Sequence, residues 1–145
     1  MKTKFLFVIT LLLLVFTVNR GEAFSAFQDV VQTHTNYDAI LYLQQNQVIQ
    51  GYSDGSFRAD TTINRAEFTK IVVRAISTEK ERAEYKKEGC FPDVAGSQWF
   101  TEFICYAKAK GIIKGYVSGQ FKPSDTINFA EASKIITKAY SERCC

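Results

Sequence analysis

The stretch that decides the fold is residues 51–67, which read Gly-Tyr-Ser-Asp-Gly-Ser-Phe-Arg-Ala-Asp-Thr-Thr-Ile-Asn-Arg-Ala-Glu. Residues 115–131 read Gly-Tyr-Val-Ser-Gly-Gln-Phe-Lys-Pro-Ser-Asp-Thr-Ile-Asn-Phe-Ala-Glu, 64 positions later. Extending this alignment to residues 27–76 and 91–140 gives 18 identities in 50 positions without a gap. An ungapped internal match of this length predicts two copies of one structural unit.

Each copy is predicted to fold as a helix, a loop and a helix, because apolar residues recur at helical spacing. The second helix begins in both copies with an Asn that is followed three residues later by a Glu. This spacing is typical of a capping box, in which each side chain binds the other residue's backbone N–H. The capping pairs are Asn64–Glu67 and Asn128–Glu131, and the predicted inward positions are Asn36, Ala39, Ile40, Leu43 and Phe68, Ile71, Val72, Ala75 in the first copy, and Phe100, Phe103, Ile104, Ala107 and Ala132, Ile135, Ile136, Ala139 in the second.

The loop between the two helices contains turn residues at fixed places. Asp54-Gly55 indicates a tight turn, and Phe57 is predicted to anchor the loop in the core. Gly111 is placed to end the first helix of the second copy in a left-handed conformation. Asp29 and Asp93 are interpreted as caps or turn-formers at the helix starts.

Residues 1–23 have the layout of a secretory signal peptide, with Lys2 and Lys4 before an apolar run at residues 5–18. As a helix this run would span about 21 Å. An uncleaved anchor is the alternative, but the run is too short for it, because the hydrocarbon core of a membrane is about 30 Å thick.

Together, the repeat pattern and this segment predict an all-α fold of two tandem helix-loop-helix repeats packed together, behind a cleavable signal peptide. The repeats occupy residues 27–76 and 91–140, and residues 77–90 connect them.

The charge of the chain gives no support for a nucleic acid or a membrane surface as partner. The formal net charge is +3. Residues 1–23 hold Lys2, Lys4 and Arg20 against Glu22, so the chain without them carries only +1 (3 − 2). The connector has four residues of each sign and is predicted to be a solvated helix extension.

The cysteines fit an oxidising compartment, which export would provide. Cys90 and Cys105 occur only in the second repeat, where their first-repeat counterparts are Ala26 and Leu41. We expect them to form a disulfide, with two free buried thiols as the alternative. Cys144 and Cys145 at the end of the sequence are adjacent, a spacing that disfavours a bridge between them and leaves pairing between molecules open.

Catalytic motifs are missing from the sequence. His34 is the single histidine, and it lies in a polar run that favours an exposed loop position. No nucleophile motif, phosphate-binding loop or metal-ligand cluster accompanies it. The sequence therefore predicts a non-enzymatic protein with no cofactor and no metal site.

The repeated motifs closely resemble those of S-layer homology (SLH) domains. The family pattern is Phe-x-Asp-Val, an aromatic before the first helix, Gly-Ile-Ile-x-Gly-Tyr, Asp-Gly-x-Phe and Ile-x-Arg-Ala-Glu, and it appears in this order at residues 27–67 and 91–131. Gly-Ile-Ile-Lys-Gly-Tyr stands at 111–116 in the second copy, and Asp-Gly-Ser-Phe and Ile-Asn-Arg-Ala-Glu stand in the first. The resemblance implies an all-α module whose repeats pack as prongs around a shared axis, usually three together. It also implies secretion to the cell wall and non-covalent binding of a secondary cell wall polysaccharide, a peptidoglycan-linked glycan that often carries acidic pyruvylated sugars.

The resemblance further implies a binding site in a groove between repeats. Arg65 matches the arginine that binds the acidic sugar, and a guanidinium can hold a carboxylate through two hydrogen bonds. Gly51, Tyr52, Asp54 and Gly55 match the loop that lines the groove, and Trp99 matches the aromatic before the helix. Trp99 is expected either to stack on a sugar face or to pack in the core or between the repeats.

The second repeat departs from this pattern at the polar positions. Phe129 stands where the first repeat has Arg65, and Val117-Ser118 replaces Ser53-Asp54. The second copy thus keeps the framework and loses the proposed contacts. The leading hypothesis is a cell-envelope anchoring module that binds glycan. The alternative is a structural or protein–protein interaction module at the cell surface, such as a disulfide-linked homo-oligomer.

Overall fold

The computed structural model describes residues 26–86 and 89–141. This part of the chain contains five α-helices and no strand. The helices are α1 Tyr37–Gln45, α2 Arg65–Ile76, α3 Glu79–Arg82, α4 Thr101–Ala109 and α5 Phe129–Ser141, with a 3-10 turn at Ala83–Tyr85. The predicted all-α fold of two helix-loop-helix repeats is confirmed.

Two sequence predictions concern residues outside the described ranges. The signal peptide at residues 1–23 is one, and the pairing of Cys144 and Cys145 is the other. Among the residues that are described, no helix combines the length and the apolar character needed to cross a bilayer.

The capping boxes that begin the second helices are confirmed. The Asn64 side chain accepts from the Glu67 N–H at 2.9 Å, and the Glu67 carboxylate accepts from the Asn64 N–H at 3.2 Å. Asn128 and Glu131 make the same two bonds at 2.9 and 3.3 Å. Gly111 follows α4 with a φ of +70°, the left-handed conformation expected of a residue that ends a helix.

The larger hydrophobic core combines both repeats. Ala66, Val72 and Val73 of α2 belong to the same buried cluster as the apolar residues of α4 and α5. The smaller core lies in the first repeat and contains Phe27, Val30, Ile40 and Ile49. The second helix of the first repeat is thus part of the core of the second repeat, and it fixes the two repeats to each other.

Asp29 and Asp93 lie in turns, as predicted, because the Val30 N–H donates to the Phe27 carbonyl oxygen at 2.9 Å and the Val94 N–H to the Phe91 carbonyl oxygen at 3.0 Å. Neither caps a helix, and their carboxylates close the loops instead. The Asp29 carboxylate accepts from the N–H groups of Phe57 and Arg58, both at 2.7 Å. Asp93 accepts from the N–H groups of Phe121 at 2.9 Å and Lys122 at 2.6 Å. Each carboxylate therefore joins the start of a repeat to the end of its loop, 28 residues later.

The connector is less solvated than predicted. Ser77 has extended backbone angles that end α2, so the chain does not continue as one helix. Arg82 is buried, and its guanidinium donates to the Ser77 carbonyl oxygen at 2.7 Å. The Tyr85 ring packs edge-on against Tyr106 with centroids 5.6 Å apart. The connector therefore covers part of the larger core instead of only linking the repeats.

The predicted disulfide between Cys90 and Cys105 is present, with a Cα–Cα distance of 5.5 Å. It joins α4 to the segment that precedes the second repeat. Ala26, the counterpart of Cys90, packs against the smaller core. The second repeat thus has a covalent cross-link where the first repeat has only apolar contacts.

Candidate functional site

The loop that begins at Gly51 has a shape that requires glycine. Gly51 has a φ of +66°, and an added Cβ would lie 2.5 Å from both the Phe27 ring and the Ser56 carbonyl oxygen. The loop closes through Tyr52 N–H to Ser56 O at 2.8 Å and Gly55 N–H to Tyr52 O at 3.0 Å. Gly55 has a φ of +81°, and its nearest side chain is 3.6 Å away. Both glycines, which the resemblance placed in the site, shape the loop backbone.

Asp54 organises the same loop. Its carboxylate accepts from the Ser56 hydroxyl at 2.6 Å and pairs with the Arg58 guanidinium at 2.7 Å. The Arg58 guanidinium lies over the Tyr52 ring, 4.2 Å from its centroid. The hydrogen bonds from Ser56 and Arg58 hold the pKa of Asp54 far below its ordinary value. Asp54 is therefore ionised and already paired with a cation in this structure.

An open cleft of about 600 Å³ lies between this loop, α2 and the start of the second repeat. Three of the predicted site residues line it: Gly51, Tyr52 and Trp99. The floor is apolar, and Glu67 and Lys70 are the charged groups on its wall. Its other lining residues are Val48, Ile49, Gln50, Ser53, Phe57, Ile63 and Ile71.

Trp99 forms one side of this cleft and presents a large aromatic surface to solvent. It is 53% exposed, and its ring makes an edge-on contact with Phe100 at a centroid distance of 5.2 Å. Trp99 is therefore not a core residue, whereas its contact with Lys70 of the first repeat agrees with the alternative of packing between the repeats. The ring remains available for a ligand to stack on.

Lys70 is the cleft residue that sequence reasoning missed. Its ammonium nitrogen lies 5.4 Å from the Trp99 ring centroid, a cation–π contact between the two repeats. Burial, reinforced by the nearby charge of Arg74, lowers the pKa of Lys70. Lys70 forms no ion pair with any carboxylate in residues 26–86 and 89–141. The sequence did contain a signal for it, because Lys134 occupies the same place in the second repeat.

Tyr52 and Glu67 supply the polar wall of the cleft. Burial, followed by the charge of Glu67, raises the pKa of Tyr52. The second repeat has the same pair, in which the Tyr116 hydroxyl donates to the Glu131 carboxylate at 2.5 Å. The cleft therefore offers an aromatic face, an unpaired ammonium group and hydrogen-bonding oxygens within one concave surface.

Arg65 lies at the contact between the repeats and does not line the cleft. It is 5% exposed. Its Nε donates to the Phe121 carbonyl oxygen at 2.9 Å, and its Nη1 lies 3.3 Å from the Glu131 carboxylate. The guanidinium carbon is 4.6 Å from the Tyr116 ring centroid and 4.7 Å from that of Phe121. A sugar carboxylate could bind Arg65 directly only by displacing Glu131, so that role stays a prediction.

Comparisons with known proteins agree with this architecture. A family model described as the S-layer homology domain matches residues 26–69 and 91–133. The middle cell wall protein of Brevibacillus brevis is 32% identical over 122 residues, which are 81% of this chain and 12% of that protein. The surface layer protein of Brevibacillus choshinensis is 36% identical over 92 residues, which are 63% of this chain and 8% of that protein.

A third relative is the cellulosome-anchoring protein of Acetivibrio thermocellus, 30% identical over 116 residues, which are 78% of this chain and 25% of that protein. The chain thus spans between 8% and 25% of the length of these three relatives. The family model covers both helix-loop-helix units, and its two matches fall on the two repeats of the structure. The chain belongs to the S-layer homology domain family and contains two tandem repeats of it.

Proposed function

We propose that this chain is an anchoring module of the bacterial cell envelope that binds an acidic secondary cell wall polysaccharide in the Tyr52–Lys70–Trp99 cleft. The proposal is supported by the names of the relatives, which are a cell wall protein, a surface layer protein and an anchoring protein. In this proposal the protein is secreted, binds the glycan non-covalently and has no enzymatic activity. Pyruvylated sugars are the proposed ligand because each carries a carboxylate.

The observation that carries the proposal is the position of Lys70 beside Trp99. A half-buried ammonium group without a carboxylate partner loses hydration, which is why its pKa is lowered. The charges of Glu67 and Glu102 offset only part of this burial. A ligand carboxylate would add an ion pair, while the exposed face of Trp99 stacks on the sugar ring. Binding in this cleft should therefore favour a polymer that presents a carboxylate next to an apolar ring face.

Arg65 has an indirect role in this proposal. It holds α2 against the second repeat through Phe121 and Glu131. Lys70 and Trp99 lie on opposite repeats, so the geometry of the cleft depends on that contact. Loss of Arg65 is expected to weaken glycan binding by loosening the repeats.

The experiment is sedimentation with purified cell walls, before and after removal of the secondary polysaccharide. The wild type should sediment only with complete walls, and Trp99→Ala and Lys70→Met should stay in the supernatant. Lys134→Met is the matched control, because Lys134 holds the equivalent position in the second repeat and is exposed. Equal sedimentation of wild type, Trp99→Ala and Lys70→Met would refute the assignment of the cleft, and sedimentation with stripped walls would refute the polysaccharide as ligand.

A further inference from the structure

The outer face of α5 corresponds to the face of α2 that the second repeat covers. On α2, five residues of this face are buried: Arg65, Ala66, Thr69, Val72 and Val73. Their counterparts on α5, 64 residues later, are Phe129, Ala130, Ser133, Ile136 and Thr137. Phe129 is 88% exposed and Ile136 is 42% exposed, so the prediction that Ile136 is an inward residue was wrong. Tyr140, which is 53% exposed, extends this apolar surface by one turn.

The first repeat displays the surface that would receive such a helix. In the second repeat, α4 packs against α2. Its buried Phe103 and Tyr106 also contact the connector, because the Arg82 guanidinium lies 5.2 Å from the Phe103 ring centroid and Tyr85 packs edge-on against Tyr106. The counterparts on α1 are Ala39 and Tyr42, which are exposed, and Tyr42 is 64% exposed. The contact inside the chain therefore has two halves, and one further copy of each is exposed within residues 26–86 and 89–141.

The loop that holds the start of α2 has an unoccupied counterpart as well. The N–H groups of Arg65 and Ala66 donate to the carbonyl oxygens of Asp125 and Pro123, at 2.9 and 3.0 Å. The corresponding first-repeat positions lie in residues 59–61, and all of them are exposed. The backbone acceptors for a second helix N-terminus are therefore repeated at an open surface.

Phe129 suits this surface better than an arginine would. Arg65 lies over the rings of Tyr116 and Phe121, whose first-repeat counterparts are Tyr52 and Phe57. Tyr52 and Phe57 also line the cleft proposed for the glycan, so a second copy and the glycan would compete for this surface. A phenylalanine can contact two such rings without needing a carboxylate partner, and aromatic pairs of this kind are stabilising. The replacement of Arg by Phe thus removes a charge from a contact whose other side is aromatic.

From this complementarity we infer that the outer face of α5 binds the α1 face and the 58–62 segment of a second copy of the chain. The contact reproduces between molecules the contact of α2 with the second repeat within one molecule. It is heterologous, because the two surfaces that meet are different. Each copy therefore has one α5 face to donate and one α1 face to accept.

The test uses the purified chain with Cys144→Ser and Cys145→Ser, so that terminal cysteines cannot link copies. Mass is measured by sedimentation over a wide range of concentration, without polysaccharide. Phe129→Glu blocks the α5 face and Tyr42→Glu blocks the α1 face, and both positions are exposed enough to spare the fold. Val31→Glu is the matched control, because Val31 is 62% exposed and its counterpart Ala95 is also exposed.

The wild type and Val31→Glu should gain mass with concentration, while Phe129→Glu and Tyr42→Glu should each remain monomeric. An equimolar mixture of these two variants should form heterodimers and nothing larger, because only one intact contact can form between them. A monomeric wild type at every concentration would overturn the proposal. So would a mixture that stays monomeric, or self-association of Tyr42→Glu alone, which would indicate a symmetric α5–α5 contact.

Discussion

Replacement of Arg65 by alanine tests how the two repeats are held together. The substitution removes a buried guanidinium that contacts the second repeat through the Phe121 carbonyl and the Glu131 carboxylate. It leaves the first repeat's own helix cap intact, because Asn64 and Glu67 form that cap. The expected loss of stability therefore arises at the contact between the repeats.

The size of this loss of stability depends on which hydrogen-bond partners Glu131 keeps when Arg65 is removed. Loss of the charged hydrogen bond to the Phe121 carbonyl costs about 1.5–3 kcal/mol. Removal of one member of a buried ion pair costs about 3–5 kcal/mol when the other charge is left alone. Glu131 is not left alone, since it keeps the Tyr116 hydroxyl and the Asn128 N–H. We therefore expect the free energy of unfolding to fall by about 2–4 kcal/mol for Arg65→Ala.

The assay is equilibrium unfolding in urea, followed by far-UV circular dichroism. Arg58→Ala is the matched control, because Arg58 makes a shorter ion pair, 2.7 Å to Asp54, on a side chain that is 48% exposed. Exposed pairs contribute little, so the control should change the free energy of unfolding far less than Arg65→Ala does. A change of less than about 0.5 kcal/mol for Arg65→Ala would refute the reasoning, because surface substitutions alone produce changes of that size.

Three further predictions concern the loops and the disulfide. Burial raises the pKa of Asp93, but the N–H groups of Phe121 and Lys122 outweigh it and hold the pKa below the ordinary value of 3.8. Asp93→Asn should therefore be less stable than the wild type at pH 7. Urea titrations should show the difference in the free energy of unfolding shrinking as the pH falls through and below 3.8. Replacing Cys90 and Cys105 together by serine should lower the free energy of unfolding by about 3 kcal/mol, and the variant's transition should no longer respond to reductant, whereas a persistent response would contradict the assignment. Gly51→Ala should lower the thermal midpoint, because the added Cβ meets the Phe27 ring in a left-handed backbone and the αL conformation alone costs about 1 kcal/mol or more; an unchanged midpoint would show that the loop relaxes freely.

The fold could be predicted from the sequence because its determinants are local and occur twice. The capping boxes depend on residues three positions apart, and the same pair of residues occurs in both repeats. The structure contains both hydrogen bonds of each box. The turns at Asp29 and Asp93 were predicted, but the partners of their carboxylates were not, because those partners are 28 and 29 residues away. Local rules describe turns and caps, and they do not describe a carboxylate that closes a whole repeat.

The candidate site could be predicted only in part, because burial depends on the neighbouring repeat. Gly51, Tyr52 and Trp99 meet in one cleft, as the resemblance implied. Arg65 was placed with them, but the second repeat covers it. Lys70 was overlooked because a lysine on an amphipathic helix is usually solvated. Ile136 was assigned to the core from its helical spacing. Its counterpart Val72 is covered by a neighbour that α5 does not have in the described residues.

The most direct test of glycan binding uses the fluorescence of Trp99, which is the single tryptophan of the chain. Purified secondary cell wall polysaccharide is titrated into the wild type, beside the same polymer with its carboxylates reduced to alcohols. We predict a saturable change in Trp99 emission with the native polymer, and little change with the reduced polymer or with Lys70→Met. Unchanged Trp99 emission while the wild type still sediments with complete walls would contradict the account.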